Sequence, residues 1–227
     1  MEKITICLPV RFEEQGDWFL ERLRGSLRSY KKCDPDNRLS LSVGVSGNIE
    51  TIKEVLVKNW EGRRELIITE VEGKWFSIKN HIDAAAHNAN TQRLFINACD
   101  IIVPNDFLSI YDAFVEEKTM WFPIPCMVQK DGKETWRESV RGILGIHKNV
   151  FFDALGGWGE NKGEDSGHPV WGKSDPTIAH LARNLAKRDN SYTRVRSYVD
   201  GLIHFWHPRT TTWHTEGGLV SEKHREI

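Results

Sequence analysis

Two adjacent carboxylates, Glu164 and Asp165, end a stretch rich in glycine and tryptophan that begins at Gly156. Glycine lets a backbone approach a ligand closely, and the ring of Trp158 offers a flat apolar face of the kind on which sugars stack. A carboxylate beside a bound hydroxyl group can accept its proton as a general base. The pattern therefore indicates a sugar-binding loop that carries a base. For an acidic pair taken alone, a solvated surface loop is the simpler interpretation.

Asp100 is a charged residue inside an otherwise apolar run, FINACDIIVP, that spans residues 95–104. A buried carboxylate is costly unless it is paired or binds a metal ion. In open α/β sheets, ligands bind beyond the carboxyl ends of the strands, where a carboxylate can hold a divalent cation against a diphosphate. Asp100 is therefore a candidate cation ligand. The alternative is a structural role, with Asp100 capping a helix that is predicted to begin near Asn105.

Two histidines, His204 and His207, lie in the late apolar run LIHFWHP. Imidazole is the commonest side-chain metal ligand near neutral pH. Residues three apart on a strand face opposite sides, so both rings can reach one metal only if the strand bends at Trp206. A histidine packed in the core is the alternative for each.

Two further segments place basic side chains where a ligand is expected. Arg11 follows Pro9 at the end of the first predicted strand, and Lys79 and Asn80 lie near the start of a predicted helix. The amino end of a helix attracts anions, and arginine can clamp a phosphate or stack on a base. Both segments are candidates for binding a phosphate-containing ligand, with exposed and solvated side chains as the alternative.

Hydrophobic periodicity divides the chain into strands and helices. Strands are predicted over residues 3–10, 39–45, 65–71, 93–96, 101–104, 120–128, 140–147, 195–199 and 202–206. Helices are predicted over residues 17–30, 49–60, 76–89, 105–117, 150–155 and 176–188. The alternation in the first half indicates an α/β fold whose central sheet is mainly parallel and flanked by helices. The strands of the second half predict a small antiparallel extension.

The composition is that of a soluble globular protein, with 227 residues, 39% hydrophobic, 28% charged and a net charge of -1. The small net charge provides no field for general nucleic-acid binding. The four cysteines are scattered and form no CxxC pair, which argues against a zinc cluster. Neither a long apolar run nor a leader-like amino terminus is found, so we expect no membrane span and a cytoplasmic protein.

Taken in order, these motifs resemble those of the GT-A glycosyltransferases, especially family-2-like enzymes of the β-1,4-galactosyltransferase and chondroitin-polymerase type. Four segments carry the resemblance: a first strand, turn and helix, a stretch leading into an Asp-x-Asp motif, a Gly/Trp loop ending in Glu-Asp, and a late strand with a metal-binding histidine. They are residues 4–27, 75–108, 156–167 and 201–208. The resemblance implies one Rossmann-like GT-A domain over residues 1–208, followed by a polar tail at 209–227.

The resemblance implies roles for the donor side of the site. Asp100 matches the last Asp of Asp-x-Asp, which binds both the metal and the donor. His204 is the preferred second metal ligand and His207 is held in reserve. The nucleotide-binding edge matches Pro9, Arg11, Lys79 and Asn80.

The resemblance also implies roles for the acceptor side. Asp165 matches the general base, and Glu164 matches a partner that binds the acceptor. Trp158 and Gly157 match the part of the loop that faces the sugar. The implied reaction is an inverting, single-displacement transfer.

Two positions depart from the family pattern. Ala98 stands where the first Asp of Asp-x-Asp is expected, with Asn97 just before it. The segment after the second strand, residues 45–48, has the sequence VSGN where many relatives place acidic residues that hold the base. One carboxylate is therefore missing from the implied metal and ribose site, and the identity of the donor stays open.

The implied function is that of a glycosyltransferase that uses Mn²⁺ or Mg²⁺ and a nucleotide-diphosphate-sugar, with a UDP-sugar as the first expectation and the acceptor unknown. One alternative is a non-catalytic nucleotide-sugar or carbohydrate binder, because Ala98 replaces a carboxylate. A nucleotidyltransferase is a third possibility. It is disfavoured because residues 9–17, PVRFEEQGD, are acidic and contain one glycine where a basic, glycine-rich loop is expected.

Overall fold

The computed structural model describes residues 2–13, 17–63, 65–73, 77–136, 142–158 and 174–205. The first half contains β1 (Ile4–Phe12), α1 (Asp17–Cys33), β2 (Leu39–Gly47), α2 (Ile49–Trp60), β3 (Leu66–Glu70), α3 (Ile78–Asn88) and β4 (Arg93–Ile96). The second half contains β5 (Ile101–Ile102), α4 (Phe107–Phe114), β6 (Thr119–Val128), β7 (Glu134–Trp136), β8 (Leu144–His147), a π-helical turn (Val150–Ala154), α5 (Ser174–Arg188) and β9 (Thr193–Phe205). Within these residues, no helix is both long and apolar enough to cross a membrane.

The nine strands of the described residues form one mixed sheet in the order β3-β2-β1-β4-β8-β6-β9-β5, with β7 paired to β6. β1 to β4 are mutually parallel, and β6 is parallel to β9. β8 runs antiparallel between β4 and β6, and β5 runs antiparallel to β9. The predicted fold class, a mainly parallel sheet with antiparallel strands in the second half, is therefore confirmed.

Helices cover both faces of the sheet. Successive residues of β4 alternate between two buried apolar clusters, with Phe95 in one and both Leu94 and Ile96 in the other. The first cluster includes residues of α1, α2 and α4, and the second includes residues of α3 and α5. Burial on both faces explains why the central strands are almost continuously apolar.

Two helices begin at side-chain caps near the edge where parallel strands end. The Asn48 side chain accepts a hydrogen bond from the Thr51 N–H at the start of α2. The Ser77 hydroxyl oxygen accepts one from the Asn80 N–H at the start of α3. Each cap satisfies a backbone donor that has no partner inside the helix. Both helix starts are thereby fixed at the edge where ligands bind in α/β sheets.

Helix α3 packs very closely on β2 at Gly44. A Cβ atom at Gly44 would lie only 2.2 Å from the carbonyl oxygen of His81, so only glycine allows this approach. Two residues earlier on the same strand, the Ser42 hydroxyl donates a hydrogen bond of 2.7 Å to the Ala85 carbonyl. These contacts fix the position of α3, and with it the side chains of its first turn.

The largest difference from the predicted elements is in β9. The sequence predicts two strands, at 195–199 and 202–206, whereas the structure has one strand, Thr193–Phe205, and residue 206 lies outside the described residues. The pairing register with β6 shifts in the middle of this strand, and Gly201 has a φ of +74°. The polar break in the sequence is thus accommodated as a bulge.

Strand β7 was not predicted. It has three residues, Glu134–Trp136, and pairs with the end of β6 through a tight hairpin in which Gly132 has a φ of +81°. Three residues are too few to establish an alternating pattern. The hairpin carries Trp136 to the edge of the sheet.

Candidate functional site

Asp100 and His204 lie side by side, although 104 residues separate them in the chain. β5 begins directly after Asp100 and pairs with the end of β9, so that Ile101 is opposite His204. His204 Nε2 lies 2.7 Å from Asp100 Oδ2. The His204 side chain is 20% exposed and the Asp100 side chain is 14% exposed. The structure therefore brings two of the three predicted metal ligands, Asp100 and His204, together in a position that a ligand can reach.

The pair offers atoms that suit a divalent cation. Carboxylate oxygen binds Mg²⁺ and Mn²⁺ well, and imidazole nitrogen is a general ligand of first-row metals. Nδ1 of His204 lies 2.8 Å from Sδ of Met127, which orients the ring. Among the described residues, no three His, Cys, Asp or Glu side chains form a cluster. One or two protein ligands completed by substrate phosphates is the usual arrangement for Mg²⁺, so the residues present fit such a cation.

A second polar group lies where β1 and β2 end. Arg11 and Ser46 are opposite one another in the strand pairing. His81, from the first turn of α3, places Nε2 2.8 Å from the Ser46 hydroxyl oxygen. The Arg11 side chain is 13% exposed, and its guanidinium pairs with the Glu13 carboxylate. Three elements thus contribute to one cluster at the carboxyl edge of the sheet.

Hydrogen bonds fix the protonation state of His81. Its Nδ1 lies 2.7 Å from the Ser77 carbonyl oxygen, which can only accept, so Nδ1 carries the proton. Nε2 then accepts the hydrogen of the Ser46 hydroxyl. Burial lowers the pKa of His81 to about 4; the Ser77 carbonyl opposes this change, and the charge of Arg11 adds to it. The ring is therefore neutral at pH 7, and Ser46 Oγ acts as an acceptor toward any further partner.

His81 and Ser46 were not among the predicted site residues. One feature of the sequence could have indicated His81: it is a polar residue on the apolar side of a helix, next to Ile82 and one turn from Ala85. Both of these neighbours are buried, as His81 is. Ser46 was noted in the sequence only as the replacement for an expected acid.

Lys79 and Asn80 lie in the first turn of α3, as the sequence predicts. The Lys79 ammonium lies 2.9 Å from Asp83 Oδ2, one turn later, and the side chains are 27% and 22% exposed. Asn80 is exposed. An ammonium group has three donors, so the ion pair with Asp83 does not prevent Lys79 from binding a phosphate.

Asp83 also holds the turn at Gly157 and Trp158. Its Oδ1 accepts the Trp158 N–H at 2.8 Å. Gly157 has a φ of +83°, and a Cβ atom there would lie 2.9 Å from Asp83 Oδ1. The lack of a side chain at Gly157 thus serves contact with a carboxylate of α3, rather than the predicted contact with a sugar. A Lys-Asp pair four residues apart is typical of an exposed helix surface, so nothing in the sequence indicates this role for Asp83.

Two residues that were predicted to contact a ligand are buried, so these two predictions are wrong. Trp158 was expected to face a sugar, but its side chain has no exposed surface and packs against Phe151 in the core, with ring centroids 6.5 Å apart. A ring without an accessible face cannot stack on a ligand. Pro9 is buried inside β1 opposite Gly44, so it packs in the sheet and offers no surface to a nucleotide.

The remaining predicted residues fall into two groups. Glu164, Asp165 and His207 lie outside the described residues, and their roles stay predictions. Asn97 is buried, and its amide donates to the Tyr30 hydroxyl at 2.6 Å. Ala98 packs against the core. In this segment, Asp100 is therefore the carboxylate at the site.

Solved structures resemble this fold. Mannosyltransferase PcManGT from Pyrobaculum calidifontis, solved with GDP-Man and Mn2+, superposes with a TM-score of 0.60 at 14% identity, over 93% of this chain and 59% of that one. The 1-349 portion of S. aureus TarS, solved with UDP-GlcNAc, gives a TM-score of 0.63 at 12% identity, over 92% and 60%. The chain has a GT-A-like fold.

The chain spans about six tenths of the length of these GT-A-like structures. No protein-family model and no curated protein sequence matches it. At such low identity, the similarity establishes the GT-A-like fold alone. The activity has to be inferred from the site.

Proposed function

We propose that the protein is a glycosyltransferase that moves a sugar from a nucleotide-diphosphate-sugar to an acceptor hydroxyl group. The observation that carries this proposal is the Asp100–His204 pair, with 2.7 Å between Oδ2 and Nε2. Asp100 follows β4, His204 lies near the end of β9, Arg11 lies near the end of β1, and Lys79 lies in the helix that follows β3, so all four are toward the carboxyl ends of strands that run in the same direction. A cation site and basic side chains at one edge suit a diphosphate. PcManGT and TarS, which share the fold, were solved with GDP-Man and UDP-GlcNAc.

The donor side of the proposed site combines the two groups described above. Asp100 and His204 would hold Mn²⁺ or Mg²⁺, and charge stabilisation of the departing diphosphate is the chemistry that a cation bound there supplies. Arg11 and Lys79, each paired with a neighbouring carboxylate, offer further hydrogen-bond donors to the phosphates. Asn80, exposed beside Lys79, provides a polar contact for the nucleotide. A UDP-sugar is the donor that we propose first, with a GDP-sugar as the alternative to be tested.

The acceptor side depends on Asp165 and Glu164. In the proposed inverting reaction, Asp165 accepts the proton of the acceptor hydroxyl, the oxygen forms a bond to the anomeric carbon, and the bond from that carbon to the diphosphate breaks. Glu164 would bind the acceptor. Both residues lie outside the described residues, so these roles rest on the sequence motif. Asp83 holds the turn that precedes this segment in the chain.

The test is incubation with UDP-GlcNAc, UDP-glucose or GDP-mannose and Mn²⁺, followed by chromatographic measurement of released UDP or GDP. We expect at least one donor to release its nucleotide. NMR of the sugar product should show that its anomeric configuration is inverted relative to the donor. Asp165→Asn should lower turnover by about 10²–10⁴-fold while donor binding is kept. Failure to bind any of the three donors would contradict the proposed function.

A non-catalytic binder of nucleotide-sugars is the second candidate. Ala98 favours it, because a methyl group packed on the core replaces a carboxylate of the expected metal site. The same experiment separates the two candidates. Donor binding without release of the nucleotide, both with water alone and with a broad set of acceptors added, would identify a binder.

A further inference from the structure

Trp136 and Tyr198 form an exposed aromatic pair. In the described part of the chain, three large hydrophobic side chains are well exposed, and these are two of them, at 44% and 54%. Their ring centroids lie 5.2 Å apart with the planes at 75°. The third, Val57, lies on α2. Aromatic rings with a polar tip are enriched where a protein meets a ligand, so this pair is a candidate contact surface.

Tyr198 also lines an open cavity of about 500 Å³ between β9 and α4. This volume lies within the range of small-molecule sites, roughly 300–1,000 Å³. The polar side chains in its lining are Asn105, Asp106 and Asp200. Asp106 occupies the N-cap position of α4, yet its side chain makes no capping hydrogen bond. The Asp106 carboxylate therefore accepts no capping hydrogen bond from the helix, and its oxygens can accept hydrogen bonds from a ligand.

The cavity adjoins the proposed donor site. Gly201 lines it and lies three residues before His204 on β9. A Cβ atom at Gly201 would be 2.9 Å from Cβ of Pro104, which lines the cavity and follows Asp100 by four residues. At about 3.3 Å per strand residue, the cavity edge is roughly 10 Å from the Asp100–His204 pair. A ligand of two or three linked rings in the cavity would reach the donor.

We propose that this cavity and the Trp136–Tyr198 pair form an acceptor subsite that binds a carbohydrate chain. The inference rests on the proposed function and names the class of its acceptor. Aromatic faces cover the apolar C–H face of a sugar ring, and carboxylate and amide groups bind its hydroxyls. Asp106 and Asp200 repel a phosphate-bearing acceptor, because like charges at such a site destabilise binding. An acyl chain, in turn, would desolvate these carboxylates without a compensating hydrogen bond. A neutral sugar can pack on the aromatic rings and also form hydrogen bonds with the carboxylate and amide groups.

Saturation-transfer difference NMR with lactose, cellobiose and N,N′-diacetylchitobiose tests the proposal on the full chain. We expect at least one disaccharide to bind the unmodified protein. Trp136→Ala and Tyr198→Ala should each weaken that binding by about tenfold, which is the effect of losing one ring contact. Val57→Ala is the matched control, since Val57 is 57% exposed on another element. All three variants should bind UDP or GDP as the unmodified protein does.

The outcomes separate this inference from the proposed function. If the nucleotide binds but no disaccharide does, or if Val57→Ala weakens disaccharide binding as much as Tyr198→Ala, the subsite is refuted while the donor site stands. If a glycerol-phosphate oligomer or an alkyl detergent binds in place of the sugars, and Tyr198→Ala weakens that binding, the carbohydrate class is wrong. If no nucleotide binds, it is the proposed function that fails.

Discussion

His204 Nε2 lies 2.7 Å from Asp100 Oδ2, and the two residues meet because β5 and β9 pair antiparallel at the edge of the sheet. An ionised carboxylate can only accept, so without a cation the imidazole donates its Nε2 hydrogen to Asp100, and a cation bound there would take the place of that hydrogen. Backbone pairing holds the two side chains together before any ligand arrives. His204 lies on a strand and Asp100 directly precedes one, and side chains held by regular elements are positioned more precisely than those held by loops.

Replacing His204 tests whether the pair binds a cation. His204→Gln removes the imidazole nitrogen, and we expect affinity for Mn²⁺ in the presence of UDP or GDP to fall by roughly tenfold or more. The free Mn²⁺ signal in electron paramagnetic resonance measures this affinity directly. His180→Gln changes an exposed histidine on α5 and should leave it unaltered. Equal Mn²⁺ occupancy in the two variants would remove His204 from the site.

The neutral, buried His81 predicts that stability depends on pH. Its pKa is about 4 in the folded protein, against 6.5 for an ordinary histidine. Between these values the unfolded chain binds a proton that the folded protein excludes, so the free energy of unfolding decreases as the pH falls from about 6.5 to about 4. Above about pH 6.5 the protein loses no stability through His81. Below about pH 4 the total loss of unfolding free energy through His81 is on the order of 3 kcal/mol.

Urea unfolding at pH 7.5 and pH 5 measures this dependence. The unmodified protein should lose stability between the two conditions, and His81→Gln should lose less because it has no imidazole to protonate. His180→Gln should keep the full dependence. A stability difference between the unmodified protein and His81→Gln that is the same at both pH values would show that His81 is not the titrating group.

Gly44 is predicted to be intolerant of a side chain. Gly44→Ala would place a Cβ atom 2.2 Å from the His81 carbonyl oxygen, and the forced displacement of α3 should cost about 1–3 kcal/mol of stability. Gly25→Ala is the control, because the atom nearest to its Cβ is 3.9 Å away. Alanine within α1 should stabilise the protein by about 0.5–1 kcal/mol. Thermal unfolding should show a lower melting temperature for Gly44→Ala and a higher one for Gly25→Ala. Shifts of the melting temperature in the same direction would contradict the packing described.

Asp83 is predicted to have two separable functions. Asp83→Asn keeps an oxygen that can accept the Trp158 N–H, whereas Asp83→Ala leaves that donor without its acceptor and should cost about 1–3 kcal/mol more. Both variants remove the charge that positions Lys79, so both should change the affinity for the donor. Chemical denaturation and donor titration measure the two effects. Equal stability of the two variants would show that the hydrogen bond to Trp158 is unimportant.

Regular elements with strong local patterns could be predicted from the sequence. The predicted bounds of α2 and β4, at 49–60 and 93–96, coincide with the observed ones. Periodic apolar residues and caps are local features, and they suffice there. The single domain predicted over residues 1–208 stays a prediction, because residues 206–227 lie outside the described residues.

Features that depend on distant contacts could be predicted only in part. Asp100 and His204 were found separately, because each is a polar residue in an apolar run. The Ser46–His81 hydrogen bond joins β2 to α3, and no spacing along the chain encodes it. Trp158 was misassigned because a tryptophan between glycines looks the same in sequence whether its ring faces solvent or the core. Its orientation is set by Asp83 and Phe151, which come from other parts of the chain.

The most direct measurement of the central claim is isothermal titration of the protein with UDP and with GDP, in the presence of Mn²⁺ and in the presence of EDTA. The claim that Asp100 and His204 form a cation site for a nucleotide-diphosphate-sugar predicts that one nucleotide binds at least about tenfold more tightly with Mn²⁺, and that Asp100→Asn abolishes this difference. Nucleotide binding that is equal with Mn²⁺ and with EDTA, or unchanged in Asp100→Asn, would contradict it.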